Sequence, residues 1–222
     1  MKYKKITNIP EASGICFMEK TESFFVTNDE GTIYEIDHSG KILQKKKIGK
    51  IDFEGIACNT ETNEVYALVE NTGEIYVLSP KNLKTNFIYS LDISKKERDK
   101  YLDEKNGAEG LMFDGKYFYI STQHKKNNLL KFEKEKKGDK LLLKKNFDIK
   151  SEDLSGLTFH KSELYILSDK KQSIYKYDLK KEKIISTKKL EKGSWEGITF
   201  DKNDNIFLAD DAGSVVKVGK FE

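Results

Sequence analysis

Five short steps punctuate this chain, each an acidic or hydroxylic residue followed by glycine and then an aliphatic side chain: EASGI at 11–15, FEGIA at 53–57, AEGLM at 108–112, LSGLT at 154–158 and WEGIT at 195–199. The glycines Gly14, Gly55, Gly110, Gly156 and Gly197 lie 41, 55, 46 and 41 residues apart. A period of about 40–45 residues is that of a four-stranded propeller blade. Repetition on this scale constrains the fold more than any single motif, because each unit carries a face it can bury only against its neighbour.

The interior of each copy follows one plan. After the glycine come an alternating stretch, an aromatic-rich strand, an acidic turn, a third strand carrying tyrosine, and an amphipathic fourth strand. The first copy reads ICFME, FFVTNDEG, TIYEID and KILQKKKI, and the second IACN, EVYALVENTG, EIYVLS and TNFIYSLDI. LYILSDKKQS with IYKYDL, and IFLADDAG with SVVKV, repeat the plan in the fourth and fifth, whereas the third has YFYISTQHKKNN in place of a compact acidic turn. One short helix is expected, at 94–104.

The two ends complete each other. The fifth copy stops after three strands, and KYKKITNI at 2–9 resembles the fourth strands of the other copies. Pairing of Lys2–Asn8 with the strand around Ser214–Val218 would close the ring and leave no seam edge. The expected architecture is therefore all-β: one five-bladed propeller over 1–222, with blades at about 10–50, 51–94, 107–150, 152–191 and 193–222 plus 2–8.

Composition fits one such ring. No proline-, glycine- or serine-rich linker divides the 222 residues, and 37% hydrophobic with 35% charged content suits thin buried layers between lysine-rich outer strands. A formal charge of +3 argues against nucleic acid as a partner. Apolar residues nowhere run 18 together, so a membrane span is excluded by this reading, and with no export signal in view a soluble cytoplasmic monomer is expected. The alternative is a periplasmic or extracytoplasmic protein whose export segment has been removed. Cys16 and Cys58 fall in neighbouring copies at different strand parity, and a sheet spacing of about 10 Å predicts free thiols.

Acids repeat with the glycines. Immediately before them stand Ser13, Glu54, Glu109, Ser155 and Glu196, and two residues earlier Glu11, Asp52, Gly107, Asp153 and Ser194. The turns between second and third strands carry Asp29, Glu70, Asp169 and the pair Asp210 and Asp211, with Gln123 and His124 in the third copy. Propeller geometry brings all of these to one mouth. Crowded carboxylates raise one another's proton affinity unless a cation neutralises them, and calcium, which takes about six to eight oxygens in loose geometry, suits oxygen donors beside close-approaching glycine backbone. The rival reading is that the acids only cap turns. Zinc is disfavoured, because His38, His124 and His160 have no ligand spacing with one another.

The phrases NDEGTIYEID, YALVENTGEIYVL, DLSGLTF, LYILSDKKQSIYKYD and WEGITFDKNDNIFLADD resemble the SdiA-regulated family of bacterial β-propeller proteins across most of the chain. That resemblance implies a propeller, in a family many of whose members are exported or membrane-anchored, and implies no particular reaction. The order Ser13, Glu54, Glu109, Ser155, Glu196 is also similar to the serine and glutamate ring that holds axial calcium in five-bladed calcium-activated nucleotidases, which implies these five as calcium ligands.

Around that ring, Glu70, Arg98, Gln123, Asp169, Trp195 and Asp211 are candidates for contacting a small anionic ligand or a protein partner. Arg98, the chain's sole arginine, lies in the insertion 93–107, which reads either as a lid or as a solvated helical turn. Trp195 reads either as blade packing or as a ligand-stacking ring. An enzymatic alternative, a calcium-dependent hydrolase of phosphoesters, nucleotides or lactones, would draw on Glu11, Asp29, Asp52 or Asp153. No nucleophile elbow or phosphate-binding glycine loop is present.

Overall fold

A computed structural model describes residues 3–102, 107–122, 128–151 and 153–221. After β1 (Lys4–Thr7), the first repeat forms β2 (Ala12–Met18), β3 (Ser23–Asn28), β4 (Thr32–Ile36) and β5 (Ile42–Lys47). The second forms β6 (Phe53–Asn59), β7 (Glu64–Val69), β8 (Ile75–Leu78) and β9 (Thr85–Asp92), followed by α1 (Lys95–Tyr101). The third gives β10 (Ala108–Phe113), β11 (Tyr117–Thr122), β12 (Asn128–Lys134) and β13 (Lys140–Asp148), and the fourth β14 (Gly156–His160), β15 (Glu163–Ser168), β16 (Ser173–Asp178) and β17 (Lys183–Lys189). The fifth supplies β18 (Trp195–Phe200), β19 (Asn205–Asp210) and β20 (Ser214–Lys220).

Burial grades across each repeat. β2 and β3 are buried almost throughout, whereas β5 and β17, rich in lysine, are mostly exposed. The first strands pack in a cycle: β2 against β6, β6 against β10, β10 against β14, β14 against β18, and β18 back against β2. Glycine makes that cycle tight. A Cβ on Gly14 would sit 2.6 Å from the Glu54 carbonyl oxygen, and one on Gly55 2.5 Å from the Leu111 nitrogen, so a larger residue would push adjacent strands apart. The last step returns to the first, with Gly197 against Gly14.

The terminal strand closes as the sequence predicts. β1 pairs antiparallel with β20, Lys4 opposite Lys217 and Thr7 opposite Val215, so β18, β19, β20 and β1 form one sheet. The expected helix is also present: Ser94 caps α1, its Oγ accepting the Glu97 N–H while Glu97 Oε2 accepts the Ser94 N–H.

Two expectations are corrected. Four sheets form rather than five, because β9 and β13 pair in parallel (Ser90 with Lys140, Asp92 with Leu142) and join the second and third repeats into one eight-stranded sheet. The cause is local: Leu91, Leu141 and the Tyr101 and Leu102 that end α1 share a single core with Tyr66 and Phe118, drawing the outer strands together. The second correction concerns Cys16 and Cys58, which form a disulfide with Cα atoms 5.7 Å apart. The spacing of about 10 Å between stacked sheets does not hold for the first strands, where Gly14 and Gly55 admit much closer approach.

Candidate metal centre

The acids meet because four of the repeats tie their second turn to the start of their own first strand. The Asp29 N–H donates to the Glu11 carbonyl at 3.3 Å, Glu70 N–H to Asp52 O at 3.1 Å, and Asp211 N–H to Ser194 O at 2.9 Å. In the fourth repeat the Asp169 N–H instead donates to the Asp153 carboxylate, Oδ2, at 2.8 Å. One repeated backbone link thus carries residues far apart in sequence to the same end of the axis. Gln123 and His124, the third repeat's counterparts, lie outside the described residues.

Among the described residues, Asp29, Asp52 and Glu54 bring one donor oxygen each within 4.8 Å of one another. Asp29 Oδ1, Asp52 Oδ1 and Asp153 Oδ1 are buried with no hydrogen-bond donor. Such oxygens cost free energy unless a proton or cation meets them. Asp153 is only 1% exposed; its Oδ2 takes two backbone N–H groups, from Asp169 and Lys170, and its Oδ1 takes none.

Electrostatics register the same crowding. Burial, then the charges of Glu109, Asp29 and Asp52, raises Glu54 well above the usual carboxylate range. Burial and the Glu70 and Asp153 charges push Glu109 up to about 8, and burial with Glu109 and Asp153 pushes Glu196 up to about 9. Asp29 reaches about 7 through burial and the charges of Asp52 and Asp211. Asp52, Glu70 and Asp153 rise in the same direction, each chiefly through burial. Among these acids Lys170 offsets only Asp153, and oxygen donors packed this way form an environment suited to a hard cation.

The anticipated ligands divide. Glu54, Glu109 and Glu196 lie in mutual electrostatic reach. Ser13 Oγ donates to the Phe53 carbonyl and Ser155 Oγ to the Trp195 carbonyl, the latter at 2.7 Å, so both hydroxyl protons stitch adjacent strands together. Asp29 and Asp52, which the sequence suggested as catalytic candidates, stand with Glu54 in the oxygen triangle. Glu11 is exposed at a left-handed backbone position (φ 49°).

Of the ligand-contacting candidates, Glu70 and Asp169 stay at the acid mouth, where Asp169 Oδ1 also accepts the Trp195 N–H at 2.9 Å, and Asp211 is exposed there. Asp210 is a turn cap whose carboxylate takes the Ala212 N–H and the Ser214 hydroxyl. The Arg98 guanidinium donates to the Thr72 carbonyl at 3.0 Å, which anchors α1 to the neighbouring turn. Trp195 is 4% exposed, stacks on Tyr3 and donates its indole N–H to Glu191 O; those contacts give it a packing role in place of ligand stacking. Thr122, whose buried Oγ1 has no partner, was not anticipated; its strand position opposite Ala108 became readable only with the register known.

An all-β ring of first strands with acids gathered at one end defines a β-propeller class of protein. The chain belongs to the SdiA-regulated family, which matches residues 1–212. Solved structures with a similar fold include the glutaminyl cyclase of Myxococcus xanthus, with TM-score 0.74 and 13% identity over 98% of this chain and 93% of that one. The β-propeller domain of Cps50 (Swd1) from Myceliophteria thermophila gives 0.58 and 8% identity over 99% and 100%, and a streptogramin B lyase 0.57 and 13% over 99% and 98%. No match to an individual curated protein was found by sequence. Identities this low speak for the fold alone. No helix among the described residues is long and apolar enough to cross a membrane.

Proposed function

We propose that the chain is one five-bladed propeller domain, a monomer in which the eight-stranded sheet is two blades joined at their outer edges, and that its axial acid cluster binds calcium. The observation that carries this is the Asp29, Asp52 and Glu54 triangle, whose buried Asp29 and Asp52 oxygens have no donor. Glu109 and Glu196 lie within electrostatic reach of Glu54, and Asp153 within reach of both, so further oxygens are at hand for the high coordination number calcium takes. The ion neutralises the cluster and ties the first strands together, leaving the Glu70, Asp169 and Asp211 rim to contact a small ligand or a partner. The Cys16–Cys58 bond favours the extracytoplasmic alternative, where disulfides persist.

Thermal melting of protein dialysed against EDTA, with and without added calcium, tests the reading. A calcium-dependent rise in Tm that saturates supports it, and an unchanged Tm rejects it.

An enzymatic reading has its own support: Glu109 and Glu196 hold protons near neutral pH beside a cation site, the arrangement of a general acid next to a Lewis acid. Assays of nucleotides, phosphoesters and lactones with calcium, beside the Glu196→Gln variant, decide it; absence of turnover on every class leaves the binding role.

A further inference from the structure

The acids occupy one end of the axis, and a cavity of about 180 Å³ occupies the other. Strand direction separates them. In β2, β6, β10 and β18 the acid or serine precedes the glycine, as Ser155 does just ahead of β14, and the residues after the glycine run toward the far end. Between the two ends the glycine waist leaves room for only about 10 Å³, so the cavity is a site of its own and not the floor of the acid mouth.

The lining of this cup repeats with the strands. Ile15, Ile56, Leu111 and Leu157, each directly after a glycine, form its base. Two residues further along, Phe17, Phe113 and Phe159 border it, as does Phe200; Phe113 packs on Tyr66 and Phe118, and Phe200 on His160 and Tyr165, so Phe159 is the ring left open to the cavity. The second repeat departs from the pattern: Cys58 stands where a fifth phenylalanine would, bonded to Cys16 beside it. Phe159 is 36% exposed at this opening. Each of the five first strands is also terminal in its sheet, so backbone N–H and C=O groups line the same space; the Phe17 N–H is already taken by Thr199 Oγ1 at 3.1 Å. At the rim stand Glu19 and the buried Asp201, while His160 is engaged with Asp204 at 2.7 Å.

Cavity size, the open Phe159 ring and the acidic rim select one ligand chemistry. At about 180 Å³ the cavity has the room a benzene-sized guest needs. Backbone carbonyls on the strand edges reward a donor on that guest, and the rim carboxylates disfavour an anion. We propose that this far cup is a second binding site, for a small uncharged aromatic molecule carrying a hydrogen-bond donor, independent of any cation at the acid end.

Indole is the probe, titrated by calorimetry and ligand-observed NMR into the oxidised protein. Saturable one-to-one binding with Kd below about 1 mM is expected, with benzoate weaker by about tenfold or more. Thr158 also borders the cavity; Thr158→Trp, which crowds it, should abolish binding, and Phe159→Ala should weaken it about fivefold. Glu54→Gln, at the other end, should leave indole affinity unchanged. Absence of saturation up to about 5 mM indole overturns the proposal, since that excludes an affinity near 1 mM. Undiminished affinity in folded Thr158→Trp does the same. Should Thr158→Trp fail to fold, Phe159→Ala decides alone, because its ring is exposed at the surface; unchanged affinity there overturns the site.

Discussion

A Cβ placed on Gly14 would lie 2.6 Å from the carbonyl oxygen of Glu54, inside any tolerable contact, so these two residues fix the distance between the first and second repeats. The same contact delivers Glu54 to the axis. Gly14→Ala must therefore spread two strands that are linked besides by the Ser13 hydroxyl and the Cys16–Cys58 bond. Overpacking of this kind costs about 1–3 kcal/mol, or roughly 2–10 °C in Tm for a chain of this size. Calorimetry on the variant checks it, and a melting temperature within about 1 °C of the parent would show that the waist is not tight.

The pH dependence of the metal-free protein has a definite sign. Glu109, Glu196 and Asp29 take up protons more readily in the folded than in the unfolded chain, at about 8, 9 and 7 against ordinary carboxylate values. Folded protein then binds more protons than unfolded protein across that interval, so stability falls as pH rises. The loss begins above the unfolded carboxylate range, near about 4.5, and tails off only above about pH 9. Denaturant midpoints measured with EDTA should decline from pH 5 to 9, and calcium should flatten the decline. A midpoint that climbs over this interval without metal contradicts the repulsion argument.

Sequence spacing made the ring legible because its cause, glycine at the closest approach, recurs in every copy with the same neighbours. Strand closure was legible for the same reason, since β1 copies the chemistry of a fourth strand. The parallel pairing of β9 with β13 was not, because it depends on where Tyr101 and Leu102 pack, and no period marks that. The disulfide was hidden behind an average: sheet spacing describes the middle of a blade, whereas Cys16 and Cys58 sit where glycines have drawn two strands together. At the site, residue type announced the glutamates, but Ser13 and Ser155 copy the glutamate positions while donating to backbone. Only geometry separates those uses.

The Cys16–Cys58 bond spans 42 residues and joins two repeats that the eight-stranded sheet does not connect. Closing a loop of that length removes unfolded-state entropy equivalent to about 3–4 kcal/mol. Reduction, or the Cys16→Ser and Cys58→Ser double variant, is expected to lower Tm by roughly 6–15 °C without abolishing the fold. Parallel melts with and without reductant measure this, and identical curves would show that the bond adds nothing to ring integrity.

Glu54→Gln separates a cation site from a mere collection of turn caps. Glu54 is buried within reach of the Glu109, Asp29 and Asp52 charges, and its proton affinity is raised by them after burial itself. Replacing its carboxyl with an uncharged amide of the same shape removes repulsion from the metal-free protein, so Tm in EDTA should stay level or rise at pH 8. The same change deletes a charged oxygen donor, so the calcium-induced rise in Tm should shrink and calcium affinity fall by about tenfold or more. Turn capping predicts the reverse pattern: a variant less stable in EDTA, with no calcium response to lose in either protein. Calcium titrations followed by calorimetry on both proteins at pH 8 discriminate the two, because the first outcome requires opposite shifts in the metal-free and calcium-loaded states.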